Sequence, residues 1–211
     1  MVAPSVTWLP GPVVRVADHA AAGAPGHHEI VRLSAPLGQL LTEEFDGALI
    51  SLRIAADVLL LAALGRAVER TFGECIIAVD MADGVFAGRQ AILRCVSARD
   101  THATATLMDA DRILALSAVR AGDNGSEAEI CLSRVDTAAH LNADRALQLS
   151  VHRQDGVLRL DWWYDSRRFD EYTVVELAEQ YPLTLIELTS EAIGPLHGND
   201  NSPAADWAFA G

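Results

Sequence analysis

Cysteine is scarce in this sequence. Cys75, Cys95 and Cys131 are odd in number and far apart among 211 residues. That usage builds no disulfide framework and fits reduced, mostly buried thiols in a cytoplasmic protein. Positive charge is also thin: 16 Lys+Arg against 29 Asp+Glu leave a net charge of -13. The basic residues form no cluster anywhere, which excludes the basic stripe that nucleic acid or an anionic membrane surface needs. Long apolar runs are missing too. The longest core-like run, Val58 to Leu64, has seven residues, where a membrane span needs about 20. The N-terminus has no basic region followed by an apolar run, because Pro4, Pro10, Gly11 and Pro12 interrupt it. Secretion is therefore not expected. No internal repeat or low-complexity tract is present.

Spacings that carry chemistry are equally hard to find. The seven His and three Cys residues show no zinc-ligand spacing and no i, i+4 pair on a helix. The segment 84–88 (GVFAG) lacks the Lys and Ser/Thr of a phosphate loop. Ser150, His152 and Asp155 are close in sequence, but on a hairpin they read as polar residues of a wet face. Cys95 and Cys131 fall in strands, with no activating environment legible around them, and read as buried thiols. Trp162 and Trp163 read as packing residues rather than a ligand cage. No catalytic residue, cofactor site or metal ligand is expected on this chain.

What is present is a core. Half of the residues are hydrophobic and 21% are charged, the balance of a globular protein. Residues 55–73 (AADVLLLAALGRAVERTFG) are its centre: a helix apolar on all sides through Leu64 is buried on all sides. Beyond Leu64, Val68 and Phe72 continue one stripe, with Arg66, Glu69 and Arg70 expected on a solvated back. Asp57 is placed to accept first-turn N–H groups, and Gly73 to end the helix through a left-handed residue.

Around this helix, residues 1–28 read as a linker-like segment rich in Pro, Gly and Ala. Ile30, Arg32 and Ser34 mark a short strand, and Ser34 is a cap for a helix over 36–45 that buries Leu37, Leu40 and Leu41. Residues 50–54 are expected extended. Strands are expected over 74–80, 90–96 and 128–135, a helix over 107–119, and a turn at 121–125 (AGDNG). The clearest β signal is a hairpin: Leu147, Leu149 and Val151 alternate with polar residues, Asp155-Gly156 makes the turn, and Leu158, Leu160, Trp162 and Tyr164 return. A helix follows over 171–192, with Asp170 or Thr173 as cap and Pro182 expected to bend or split it. The tail, 196–211, carries Trp207 and Phe209 and is expected to pack back on the domain.

Taken in order, these pieces resemble the C-terminal lobe of the condensation and epimerization domains of non-ribosomal peptide synthetases. Thr7-Trp8 with Asp18-His19 is similar to the linker between the two lobes. Residues 55–73 resemble the family's D-L-L-L-A-A-L-A helix. Residues 158–164 followed by 169–177 resemble its "L-x-W-x-Y-S … Y-x-x-x-T-V-x-x-L-A" strand and helix, and 202–211 (SPAADWAFAG) its closing tail. The resemblance implies an α/β (α+β) two-layer sandwich, half of a chloramphenicol-acetyltransferase-like fold. A mixed, largely antiparallel sheet would be covered by the central helix and the long C-terminal helix, with residues 29–195 as the lobe.

The family's chemistry lies on the other lobe, in an H-H-x-x-x-D-G loop whose second His serves the carrier-bound thioester. His27-His28 is followed by Glu29-Ile30-Val31-Arg32-Leu33, so the Asp-Gly is replaced and the pair reads as surface histidines of the linker. The lobe's own motifs are eroded. Ala55-Ala56-Asp57 stands for I-N-D, 129–136 (EICLSRVD) keeps Leu132 and Asp136 of F-N-Y-L-G-Q-F-D, and 91–96 lacks the Gly and Trp of V-G-W-F. The expected function is a non-catalytic, pseudoenzyme-like binding or assembly module of secondary metabolism, as a homodimer or with a synthetase N-lobe or carrier domain. The alternative is half of a split acyl-transferring or epimerizing enzyme, completed by an N-lobe on another chain. His27→Ala and His28→Ala are expected to leave any binding or turnover unchanged; a large loss in either variant would put an active site back on this chain.

Overall fold

The protein is described by a computed structural model over residues 16–97, 99, 101–117, 128–134 and 145–196. Over these residues the elements run β1 (Ile30–Pro36), α1 (Gln39–Leu52), α2 (Ala56–Phe72), β2 (Cys75–Met81), β3 (Gln90–Cys95), α3 (Ala103–Leu116), β4 (Ile130–Ser133), β5 (Leu147–Gln154), β6 (Val157–Asp165) and α4 (Glu171–Glu191). The strands make one sheet in the order β1-β6-β5-β4-β2-β3. Three pairings are antiparallel, and the two that involve β4 are parallel. This is the mixed, largely antiparallel sheet expected.

Register sorts the strands into two unlike faces, because alternate side chains point to opposite sides. Leu33, Trp162, Leu149 and Leu132 lie in one cross-strand row, and Val31, Tyr164, Leu147, Ile130, Val79 and Ala91 in the next. The helices pack on this apolar face. Tyr181 of α4 meets Trp162 edge-on, with ring centroids 5.5 Å apart. Gly65 of α2 lies so close to Leu93 of β3 that a Cβ there would come within 2.7 Å of its side chain.

Helix α2 is buried around its whole circumference from Ala56 to Val68. Helix α4 docks on it through hydroxyls: Tyr181 donates to the Leu60 carbonyl at 3.0 Å and Thr184 to the Ala63 carbonyl at 3.1 Å. Gly73 closes α2 at φ 84, a conformation that glycine adopts without strain. The hairpin turn is as expected, with Asp155 and Gly156 both at positive φ. Among the described residues no single helix is long and apolar enough to cross a membrane.

Several local expectations fail for physical reasons. Helix α1 follows Gly38 as its N-cap and runs from Gln39 through Leu52 to a left-handed Arg53, so residues 50–52 are helical rather than extended. Its buried side is Thr42, Phe45, Ala48, Leu49 and Leu52; Leu40 is exposed. Ser34 belongs to β1, not to a cap. Helix α3 begins four residues earlier than expected, where His102 Nδ1 accepts the Thr104 N–H. Arg66 is buried, not solvated: it donates to the Thr101 carbonyl and the Thr106 hydroxyl, with Glu187 3.6 Å away. Pro182 does not split α4, and Asp170 is its N-cap by position. The turn at 121–125, the tail residues 197–211 and Val135 lie outside the described residues.

Leu64 is fully buried in α2, so Leu64→Ala is expected to cost about 2–5 kcal/mol in chemical denaturation. A loss below about 0.5 kcal/mol, the range of a surface change, would contradict this placement of the helix.

Candidate functional site

The sheet's second face is polar across β1, β6, β5 and β4, and it is buried at its centre, while Arg32 and Ser34 on the β1 edge are exposed. Arg32, Trp163, Gln148, Cys131, Asp80 and Gln90 form one cross-strand row; Ser34, Asp161, Ser150 and Ser133 form the next. Arg159 and His152 follow. Asp80, Ser133, Gln148, Ser150, His152 and Asp161 are all shielded from solvent. Of the two fates expected for the hairpin's second face, wet or covered, its centre has the second. Ser150 and His152 sit on it, while Asp155 is away in the exposed turn. The carboxylate on this face is Asp161, whose register position opposite Ser150 only the pairing reveals.

Asp161 is the hub of this face. It accepts hydrogen bonds from Arg32 Nη2 at 2.6 Å and from the Ser34 hydroxyl. His152 Nδ1 lies 3.6 Å from its Oδ2, too far for a hydrogen bond, and this ring nitrogen has no hydrogen-bond partner among the described residues. Burial by itself raises the Asp161 pKa. The hydrogen bonds from Arg32 and Ser34 and the charges of Arg32 and His152 outweigh it, so the pKa is lowered. The guanidinium of Arg32 also stacks over Trp163, 5.1 Å from the ring centre. Trp162 and Trp163 are thus packing residues, one on each face.

A second knot joins the start of α2 to the end of β4. Asp57 is fully buried, yet it does not cap its own helix. Its carboxylate accepts the Val85 N–H at 3.1 Å and lies 2.9 Å from Arg134 Nε. Asp83 in the same loop accepts from the Ser133 hydroxyl at 2.6 Å and the Arg134 N–H at 2.7 Å. Gly84 lies directly over this ion pair at φ 81; a Cβ there would stand 2.7 Å from Asp57 Oδ2 and 2.9 Å from Arg134 Nε. The glycine of the GVFAG segment therefore serves a carboxylate contact. Burial raises the Asp57 pKa above the ordinary value, against the opposing pull of Arg134 and two backbone N–H groups.

Asp80 is tied to Arg145, which also donates to the Ala128 carbonyl at 2.8 Å, and to Gln90. The thiol of nearby Cys131 is pushed up to about 12, mainly by burial and then by the charge of Asp80. Cys131 is a buried thiol, as expected. His27 and His28 lie on an exposed 3-10 turn, His27–Glu29, and not on the polar face. Among the described residues no group of three or more His, Cys, Asp or Glu side chains is placed to hold a metal ion.

Condensation-type domains among the solved structures share this fold. The epimerization domain from the third module of tyrocidine synthetase B superposes with a TM-score of 0.64 at 16% identity, covering 88% of this chain and 52% of that one. The fold is that of a condensation-domain lobe. The X-domain solved in complex with OxyB from teicoplanin biosynthesis matches with a TM-score of 0.60 at 15% identity, over 87% of this chain and 50% of that one. A condensation domain of the enacyloxin polyketide synthase, described there in chain release, matches with a TM-score of 0.53 at 14% identity, over 87% and 44%. No family model matches the chain. In sequence, a phenolphthiocerol/phthiocerol polyketide synthase polypeptide of Mycobacterium tuberculosis is 26% identical over 226 aligned residues, covering 82% of this chain. The chain spans about half of the solved condensation-type domains and 15% of that synthase polypeptide.

The hub gives a pH-dependent expectation. Asp161 has a folded pKa below the unfolded 3.8, so its stabilisation is present above that pH and lost as pH falls through the lower folded value. Asp161→Asn should cost about 1–3 kcal/mol at neutral pH. In urea titrations the gap between wild type and variant should close below about pH 4; a gap that stays constant with pH would contradict the role of the charge.

Proposed function

We propose that this lobe is a non-catalytic binding or assembly module in non-ribosomal peptide or polyketide biosynthesis. One observation carries the reading: the buried carboxylates of the polar face and its rim are bound by fixed partners. Asp161 is held by Arg32 and Ser34, Asp57 by Arg134 and the Val85 N–H, and Asp80 by Arg145. A general acid or base needs a proton-exchanging group facing substrate; these groups face arginines. The exposed surface position of His27 and His28 supports the same reading. A domain of the same fold is known in complex with another protein, OxyB, which supports protein binding as a use of this architecture.

The second reading is half of a split acyl-transferring or epimerizing enzyme, completed by an N-lobe on another chain. The buried His152 favours it: its Nδ1 lies 3.6 Å from Asp161 Oδ2 with no hydrogen-bond partner among the described residues, and His is the commonest general acid–base side chain. In either reading the partner is a synthetase lobe, a carrier domain or a second copy, and the expected location is the cytoplasm.

A stable interface buries about 800 Å² per partner. Light scattering at micromolar concentration should therefore find this chain above its own 22.6 kDa, alone as a dimer or after mixing with a condensation-type N-lobe. A clean 22.6 kDa species in both runs would overturn the proposal.

A further inference from the structure

Cys75 and Cys95, twenty positions apart in sequence, are directly opposite one another in the antiparallel β2–β3 ladder. They form the last register pair at that end of the hairpin, and β3 is the edge strand of the sheet. Both are free thiols; Cys75 is half-buried and Cys95 buried. Opposed residues of an antiparallel pair have Cα atoms about 4.5 or 5.5 Å apart, depending on the type of pair. Both values lie within the about 4.4–6.8 Å that a disulfide spans. The two thiols face each other across the ladder and interact. That contact lowers the Cys75 pKa and raises that of Cys95, so the partly accessible sulfur is the one that ionises.

We propose that Cys75 and Cys95 are a redox-active dithiol that closes into a cross-strand disulfide, clamping the sheet edge. The two roles are unlike. The Cys75 thiolate attacks a low-molecular-weight disulfide such as oxidised glutathione, forming a mixed disulfide and expelling one thiolate. Cys95 then loses its proton, attacks Cys75 Sγ and expels the second thiolate. Two protein thiols are oxidised, the small disulfide is reduced to two thiols, and the bond formed is Sγ–Sγ. Cys131 takes no part: it lies on β4 on the opposite, polar face, with its thiol held protonated by burial. Closure at the end of a ladder needs adjustment of one terminal pair only.

The test treats the purified chain with increasing ratios of oxidised glutathione. Free thiols are counted after denaturation, and intact mass and peptide mapping locate the bond. Wild type should lose two of its three thiols, with a mass loss of about 2 Da and a Cys75–Cys95 cross-linked peptide. Cys95→Ser should instead stop at a glutathione adduct on Cys75, and Cys75→Ser should gain neither adduct nor disulfide at the same ratios. Wild type that retains three thiols, accumulates the Cys75 adduct, or pairs either cysteine with Cys131 would overturn the proposal. Circular dichroism of both serine variants shows that the outcome is read on folded protein; either sulfur-to-oxygen change removes no heavy atom.

Discussion

A helix with seven consecutive apolar residues has no side to offer water, and most of the structure follows from enclosing α2. The sheet closes one side of it through β3, and α3 and α4 close others. Its backbone carbonyls at Leu60 and Ala63 receive hydroxyls from Tyr181 and Thr184, which fixes α4 in register against it. Burial on all sides also takes the helix's charged residues out of water. Asp57 and Arg66 are inside the protein, and each therefore has partners brought from elsewhere in the chain. The loop after β2 folds over Asp57, and the start of α3 folds over Arg66.

The same economy governs the second face of the sheet. Its buried groups are polar, and a buried charge is tolerated when it is paired and hydrogen-bonded. All 16 basic residues of the chain are arginine, whose planar fork reaches several acceptors at once. Arg145 joins Asp80 to the Ala128 carbonyl, Arg134 joins Asp57 to the end of β4, and Arg32 joins the edge strand to Asp161. Arg168 holds Glu129, which in turn accepts the Val16 N–H. These pairs tie the buried carboxylates to fixed partners.

Features written in local periodicity were legible in the sequence. The α2 stripe, the Asp155-Gly156 hairpin, the β2 strand and the extent of α4 are local patterns, and they stand where the pattern puts them. Features decided by distant residues were not. The alternation in β5 marks Ser150 and His152 as one face, but whether that face is wet depends on what covers it. Nothing in the segment near Asp57 announces that Arg134 lies beside it, 77 positions on. Cys75 and Cys95 become neighbours only through the β2–β3 register. Arg66 looks solvated because its helix position is polar in sequence, and it is buried because α3 and Glu187 lie over it. The fold class came from the family resemblance that the ordered motifs carry, and the partners of the buried carboxylates came from pairing that no local pattern carries.

The proposal that this condensation-type lobe acts as a scaffold rests on its buried carboxylates being held by its own arginines. It is tested most directly by a turnover assay on a carrier-bound acyl or peptidyl thioester, with a condensation-type N-lobe, in the presence and absence of this chain. The account predicts the same acyl-transfer and epimerization rates with and without it, while it co-elutes with its partner. A rate that rises on adding the chain, and falls again when His152→Ala replaces wild type, would contradict it and place the missing base on the polar face.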